Sequence, residues 1–259
     1  MKSPRLLTSL LAALVLCSCA APQPKADISQ LASVKTIAVA VPPRAHYLAA
    51  TNSGLIFIPG GGLIAAAVGG AISGGINAAT DKKAVTFDDV VSAKLGDTHF
   101  NRRLIDAVEA QLRAQGYTVS EITLSQVGLK SEFDRSRFTF NLAGQHGYAS
   151  ADAILVANIG EAYFAPGPLN PFRRQISGEI DIYKADTLEP IFKKRMRFFH
   201  QFTDPYSYMT YQGLVSDLPH AVQGLDDAVM SLIPDFAAAL AAAHQGALAS
   251  GTQTASTAK

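Results

Sequence analysis

Residues 151–162 have the sequence ADAILVANIGEA, an apolar run bounded by small and polar residues. A short continuous apolar run of this kind predicts a strand that is buried on both faces. Such a strand lies inside a sheet, so we expect the rest of the fold to assemble around it.

Two runs of alternating polarity follow this strand. In residues 175–183 and 191–202 apolar side chains alternate with polar ones, and residues 185–190 (ADTLEP) join the two runs. This pattern predicts a β-hairpin with one solvated face. The acidic row of its first strand is expected to lie opposite the basic row of its second, as a solvated surface. These rows are Glu179 and Asp181, and Lys193, Arg195 and Arg197.

The flanking segments supply further strands and helices. In chain order, we expect a strand at 34–41 that ends at Pro42, helices at 87–95 and 97–115, a strand at 117–124, a helix at 129–142 and a last helix from Asp217. Asp97 or Thr98 is expected to cap the second helix, and Pro234 to kink or split the last one. The order predicts an α/β domain, with α+β as the alternative, in which helices cover a mixed sheet of about five strands.

An uncharged segment is inserted after the first strand. Residues 45–80 contain no Asp, Glu, Lys or Arg, and small residues recur within them at four-residue spacing. These small residues are Gly62, Ala66, Gly70, Gly74 and Ala78. Four-residue spacing places them on one helical face, where another backbone can approach closely.

This segment resembles the glycine zippers of some outer-membrane lipoproteins, such as the seventeen-kilodalton surface-antigen family. The resemblance implies an apolar helix or hairpin, at residues 54–80, that inserts into a membrane or packs copies of the chain together. A helix buried against its own domain and a glycine-rich loop are the alternatives.

The amino-terminal residues have the layout of a secretory signal. Lys2 and Arg5 precede an apolar run at 6–16, which is too short to span a bilayer. The block Leu16-Cys17-Ser18-Cys19 that follows resembles a bacterial lipobox. The resemblance implies cleavage before Cys19, acylation of Cys19 and, with Ala20 next, sorting to the outer membrane. The alternative is an ordinary secreted protein that is cleaved nearby.

These features divide the chain into four parts. We expect a signal peptide at 1–18, a lipidated tether at 19–33, a single periplasmic domain at 34–244 and a disordered tail at 245–259. Cleavage would remove both cysteines from thiol chemistry, because Cys17 leaves with the signal and Cys19 is acylated.

Composition excludes several functions. Without residues 1–18 the chain has 20 basic and 21 acidic residues, a balance that does not favour nucleic acid as a partner. The glycines at 60–62 loosely fit the start of a dinucleotide-binding motif, which needs an acidic residue at the end of a second strand about 20 residues later. Asp81 has this distance, but no strand is expected before it and Lys82 and Lys83 follow it, so a nucleotide site is rejected. The six histidines lack the spacing of metal ligands. We therefore expect no cofactor, no metal and no catalytic residues.

The order of elements, taken with the lipobox, resembles a periplasmic domain found in three groups of proteins. These are the curli-secretion lipoprotein, the lipoprotein activators of penicillin-binding proteins, and the amino-terminal domain of TolB-type proteins. The resemblance covers about residues 34–243 and implies no transferable site residue.

Two hypotheses follow for the function. The first is a non-catalytic outer-membrane lipoprotein that assists assembly or transport, or acts as a scaffold, and associates with itself or another envelope protein through the glycine stretch. The second is a monomeric periplasmic binding or regulatory lipoprotein that contacts a partner through Tyr206, Tyr208 and Tyr211, because tyrosines give rigid contact area. For those rings, the alternative role is to cover the domain's own core. An envelope hydrolase is a third hypothesis, which would need a cleft that collects several polar residues.

Overall fold

The computed structural model describes residues 26–42, 44–51, 86–134, 139–166, 169–199 and 204–256. Cys17, Cys19 and the glycine-rich segment at 54–80 therefore lie outside the described residues. Within these ranges the chain forms eight strands, five α-helices and two short 3₁₀ helices. The strands are β1 Thr36–Ala40, β2 Tyr47–Thr51, β3 Thr118–Ile122, β4 Leu129–Asp134, β5 Thr139–Gly144, β6 Ala153–Ala165, β7 Arg173–Lys184 and β8 Pro190–Phe199. The helices are α1 Phe87–Leu95, α2 Phe100–Ala114, α3 Tyr211–Ser216, α4 Leu218–Met230 and α5 Ile233–Ser256.

Six of these strands form one mixed sheet around β6. Its order is β3-β1-β6-β7-β8, with β1 parallel to both neighbours and β7 antiparallel to β6 and β8. The apolar run quoted first is thus an interior strand, because its side chains face packed layers on both sides of the sheet. The predicted α/β class with a mixed sheet and covering helices is confirmed.

The strand β2 was not predicted. It runs parallel to the second half of β6, with Tyr47 level with Glu161 and Thr51 level with Ala165. The first half of β6 pairs instead with β1, from Ile37 level with Ala153. The long β6 therefore has two short partners in succession along the same edge.

The main core lies between the sheet and the helices. Alternate residues of β6, such as Ala153, Leu155 and Tyr163, face this side, together with Ile176, Ile180 and Ile182 of β7. The helix α2 contributes its apolar stripe, which includes Leu104, Val108 and Leu112. Burial of these apolar side chains is the main favourable contribution to folding, at about 25 cal/mol per Å² of apolar surface removed from water.

A second, smaller core lies on the opposite face of the sheet, under the hairpin β4–β5. Leu129 and Leu142 of the hairpin pack there with Ile154 and Val156 of β6. The helix predicted at 129–142 is therefore wrong. The apolar residues of this segment recur at alternate positions within each strand, and antiparallel pairing places Phe133 level with Phe140.

The hairpin β7–β8 is confirmed, but its charged face is solvated only in part, because Arg195 and Arg197 are exposed whereas the acidic row is buried. Glu179 is 7 % exposed and Asp181 is fully buried. The acidic and basic rows do lie opposite each other, with Glu179 level with Arg195 and Asp181 level with Lys193. The alternation along the strands correctly predicted which residues share a face. It contains no information on the hairpin β4–β5, which covers part of this face.

The ends of the helices follow sequence signals with one exception. The helix α2 begins after His99, at φ 55°, and neither Asp97 nor Thr98 caps it: Asp97 accepts a hydrogen bond from the His99 N–H at 2.9 Å. Gly116, at φ 90°, follows the end of this helix as predicted, because a left-handed residue there costs glycine little. Pro234 lies in the first turn of α5, so the predicted split at this proline is confirmed.

The domain extends further than predicted at both ends. A 3₁₀ helix at Ile28–Ser33 buries Leu31 completely and packs against α5, so the last residues of the predicted tether belong to the domain. At the other end α5 continues to Ser256, and Ala247 is 2 % exposed. The prediction of a disordered tail from residue 245 is therefore wrong for residues 245–256.

Candidate functional site

A cleft opens where β1 separates from β6. The pairing of β1 with β6 ends at Ala40 and Val156, and that of β2 begins at Tyr47 and Glu161. On this side residues 157–160 have no strand partner among the described residues. The cleft, of about 270 Å³, lies beyond the carboxyl ends of β1 and β3. Ligands of open α/β sheets bind at this edge, where the chain leaves neighbouring strands in different directions.

Two elements form the walls of the cleft. The helix α2 contributes Asn101 and Leu104 from one face of the sheet, and β4 contributes Lys130 and Ser131 from the other. The Asn101 amide donates to the Pro42 carbonyl at 3.3 Å, which holds the end of β1 against α2. The cleft is therefore built between the two layers that cover the sheet.

Two buried polar side chains of β6 line the cleft. Asn158 is 5 % exposed and Glu161 is 2 % exposed. The Ser131 hydroxyl donates a hydrogen bond to the side-chain amide oxygen of Asn158 at 3.2 Å. The Asn158 amide nitrogen and the Glu161 Oε2 have no hydrogen-bond partner within the described part of the chain. Such atoms are uncommon in native interiors and each one needs an explanation.

A group of charged and polar side chains lies beside Glu161. Asp226 of α4 forms an ion pair with Arg103 of α2 and accepts a hydrogen bond from the Tyr47 hydroxyl at 3.1 Å. Burial raises the pKa of Asp226 to about 6, although Arg103 acts in the opposite direction. Burial, and then repulsion from Asp226, raises the pKa of Glu161 well above its ordinary value. Both effects favour the protonated form of Glu161 in the unliganded protein.

The mouth of the cleft carries basic residues that already have partners. His46 Nδ1 and Arg44 lie 3.0 and 3.3 Å from Asp88 of α1, and Lys130 pairs with Glu132. Burial raises the pKa of Asp88, but hydrogen bonds from His46 and the Tyr47 N–H outweigh this and leave the pKa below its ordinary value. The positive charge at the mouth is thus largely compensated.

A second polar group lies under the hairpin β4–β5. Lys193 Nζ lies 3.3 Å from Asp181 and donates to the Phe140 carbonyl at 2.7 Å. Thr139 donates to Glu179 at 2.8 Å. These bonds join the hairpin to the sheet, so we interpret this group as structural.

The tyrosines predicted to bind a partner pack against their own domain. Tyr208 is 8 % exposed and its ring meets that of Tyr163 edge-on, with 5.5 Å between centroids. Tyr206 lies under the Arg174 guanidinium and donates to Asp227 at 3.1 Å. Tyr211, which is partly exposed, has its ring centroid 6.3 Å from that of Phe87. Partner binding by Tyr206 and Tyr211 stays a prediction, and the burial of Tyr208 favours the alternative role for that ring.

The other predicted site residues lie outside the described residues. These are Cys19 and the small residues Gly62, Ala66, Gly70, Gly74 and Ala78. Within the described ranges His, Cys, Asp and Glu form no group of three or more that could hold a metal ion. None of the helices in the same ranges combines the length and the apolar character needed to span a membrane.

Comparison with known proteins finds no matching family model, no matching curated protein and no matching solved structure. The resemblance to the curli-secretion, activator and TolB-type domains therefore stays a prediction.

Sequence reasoning did not identify the cleft. Its signal was present in β6, where Asn158 and Glu161 interrupt an otherwise apolar strand. A polar residue inside a buried strand needs a partner, but the partner comes from elements distant in sequence. The gap between the end of β1 and the start of β2 along the edge of β6 lies beside these two residues, and it is known only from the strand pairing.

Proposed function

We propose that this protein is a lipid-anchored component of the outer membrane, with its domain in the periplasm, and that it has a non-catalytic binding or scaffolding role. The anchor is inferred from the lipobox at Cys19. The binding role is supported above all by the cleft, where buried Asn158 and Glu161 each have a polar atom that finds no hydrogen-bond partner among the residues that the structure describes. A bound ligand that pairs with these atoms would remove the cost of their burial, which is about 1–3 kcal/mol for each group.

The cleft suits recognition of one small group better than a broad protein interface. Its volume of about 270 Å³ is slightly below the range of typical ligand pockets, which measure roughly 300–1,000 Å³. It would accept a small polar molecule or a single side chain of a larger partner.

A variant that fills the cleft tests the binding role. Ser131 lines the cleft on β4, and Ser131→Trp should occupy part of it. The purified lipidated protein, in detergent, would be screened by thermal shift against amino acids, short peptides and sugars. We expect ligands that raise the melting temperature of the native protein and lose this effect in the variant.

Ser177→Trp is the matched control, because Ser177 is exposed on β7 and does not line the cleft. It should keep every response of the native protein. A screen in which no ligand distinguishes Ser131→Trp from Ser177→Trp would contradict a binding role for this cleft.

Self-association through the glycine stretch is the second candidate, favoured by the spacing of the small residues at 62, 66, 70, 74 and 78. Replacement of Gly70 and Gly74 by leucine should abolish crosslinked oligomers while the circular dichroism of the domain is retained. Oligomers that persist unchanged in this variant would contradict the candidate.

A further inference from the structure

Within the described ranges, no cation forms an ion pair with the carboxyl group of Glu161. The ionisable groups that act on it are Asp226 on α4, Arg103 on α2 and Tyr47 on β2. Arg103 is already paired with Asp226. Two carboxyl groups thus share one guanidinium, and the cluster balances only if one of them holds a proton or receives a cation from outside.

The position of Glu161 makes an outside cation accessible. It lines the cleft, and its Oε2 accepts no hydrogen bond in the described part of the chain. The basic residues at the mouth do not reverse this preference, because Arg44 and His46 pair with Asp88 and Lys130 pairs with Glu132.

Asn158 is a separate polar group of the cleft. Its side-chain amide oxygen accepts a hydrogen bond from Ser131, whereas its amide nitrogen donates to no acceptor among the described residues. Because side chains alternate along β6, Asn158 faces the hairpin β4–β5 and Glu161 faces the helices, so Glu161 alone defines the charge of the ligand.

We infer that the cleft binds an alkylammonium group, which pairs with the unpartnered carboxyl oxygen of Glu161. The group can come from a small free amine or from a lysine side chain of a peptide. This inference rests on the proposed binding role of the cleft and names the chemistry of its ligand.

Proton release accompanies this binding. Burial and Asp226 raise the pKa of Glu161 in the free protein, and a bound ammonium group lowers it again, so binding releases protons that this carboxyl group holds. The proton of the carboxyl group passes to the buffer, and no covalent bond is formed or broken in the ligand. Affinity should therefore rise with pH until the ligand amine itself begins to lose its charge.

Calorimetric titration of the purified lipidated protein tests the inference. The probe is Nα-acetyl-lysine N-methylamide, which has one ammonium group and two carbonyl oxygens. Its Nε-acetylated form lacks the charge but is one acetyl group larger, so the norleucine analogue, which has neither the charge nor the added bulk, is titrated beside it and must bind as weakly. We expect at least about tenfold weaker binding of the acetylated form, since a hydrogen bond to a charged group contributes about 1.5–3 kcal/mol. Titration in two buffers of different ionisation enthalpy should detect the released proton.

Variants identify the groups that act. Glu161→Gln should lower the affinity for the charged probe by about tenfold or more and abolish proton release. Glu121→Gln is the matched control, because Glu121 lies on β3 in an exposed ion pair with Arg102 and should leave both unchanged. Thermal unfolding of each variant checks its fold, and proton release by the native protein tests the inference without any variant.

The source of the amine is decided by two further probes. Preference for 1,5-diaminopentane would indicate a small free amine, and preference for an acetylated, amidated tripeptide with central lysine would indicate a peptide.

Equal affinity for the charged and acetylated probes, or no binding of any amine probe, would overturn the inference. The proposed binding role would survive either result if the thermal-shift screen still separated Ser131→Trp from Ser177→Trp. Loss of that separation as well would overturn both.

Discussion

Asp181 is fully buried on the hairpin side of the sheet, and Lys193 is the cation beside it. The Tyr183 hydroxyl donates to the same carboxylate oxygen at 3.0 Å, and the other oxygen has no partner in the described part of the chain. A buried charge with so few partners depends strongly on the one cation that faces it.

Removal of that cation should be costly. Lys193→Met leaves the Asp181 carboxylate without a counter-charge, and we expect the free energy of unfolding at pH 8 to fall by about 3–5 kcal/mol. Urea unfolding would measure this change. Lys184→Met is the control, because Lys184 and Asp186 form an exposed pair at 3.2 Å whose loss should cost at most about 1 kcal/mol. Equal losses in both variants would show that the burial of Asp181 is unimportant.

Asp181 should also make stability depend on pH. Burial, opposed by Lys193, raises its pKa from 3.8 to about 7 in the folded protein. Between these values the folded state holds a proton that the unfolded state releases, so this group's contribution to stability is lost as pH rises from about 4 to about 7. Asp181→Asn removes that contribution. We expect the stability of this variant relative to the native protein to increase between pH 4.5 and pH 8, as measured by urea unfolding.

The same experiment with Asp186→Asn provides the comparison, since Asp186 is 64 % exposed. Its stability relative to the native protein should stay nearly constant over this range. A flat difference for Asp181→Asn as well would contradict the raised pKa.

The burial of these acids could not be predicted from the alternation of β7. A period of two identifies which residues share a face, and it placed Glu179 and Asp181 together correctly. It does not reveal whether that face meets water, which here depends on the hairpin β4–β5. The same limit hid the cleft, because Glu161 meets Asp226 across about sixty residues of intervening sequence.

At the scale of elements, the predictions succeeded where the pattern was long and local. The strand β6, the hairpin β7–β8 and the amphipathic helix α2 were each expected from ten or more residues of regular spacing. The short strand β2 was not, because YLAAT contains two alanines and only five residues. Its strand conformation is stabilised by the length of β6, which extends beyond the end of β1.

The carboxyl-terminal helix offers a test at this scale. Ala247 is 2 % exposed within α5, and the preceding turn holds His244 Nδ1 2.6 Å from the Tyr117 hydroxyl. Ala247→Asp places an unpaired charge in the main core, and we expect this substitution to lower the free energy of unfolding by at least about 2 kcal/mol. Chemical denaturation followed by circular dichroism would measure the loss.

Ala249→Asp is its matched control, because Ala249 lies two residues further along the same helix and is exposed. It should change stability by no more than about 0.5 kcal/mol. A disordered tail would make the two substitutions equivalent, and that outcome would restore the boundary expected from the sequence.

At the scale of the whole molecule, the domain is joined to the predicted anchor at one end of the sheet. The 3₁₀ helix at Ile28–Ser33 leads into β1, whose first residues lie level with the start of β6. The glycine-rich segment at 54–80 follows Thr51, which lies level with Ala165 near the far end of β6. At about 3.3 Å for each residue, the thirteen residues of β6 extend over roughly 40 Å. The predicted tether and the glycine stretch thus attach to opposite ends of the sheet.

This arrangement bears on what the glycine stretch can reach. Residues 19–27 extend over at most about 30 Å, since a fully extended chain spans about 3.3–3.6 Å per residue. A domain that stood upright on the membrane above its tether would hold Thr51 away from the lipid. Contact of the glycine stretch with the same bilayer therefore favours a domain lying along the surface, whereas self-association is compatible with either orientation.

All of these placements depend on acylation of Cys19, and the neighbouring cysteine provides the comparison. In Cys19→Ser the lipobox loses its acylated residue, so the chain should keep residues 1–18 and lack fatty acyl groups. Cys17→Ser keeps Leu16, Ser18 and Cys19, and its mature form should be identical to the native one because position 17 is removed. Intact mass measurement and detergent partition would separate the two. Equal masses for the mature forms of the native protein and Cys19→Ser, apart from the one substituted atom, would exclude the lipid and leave a secreted protein as the interpretation of the signal.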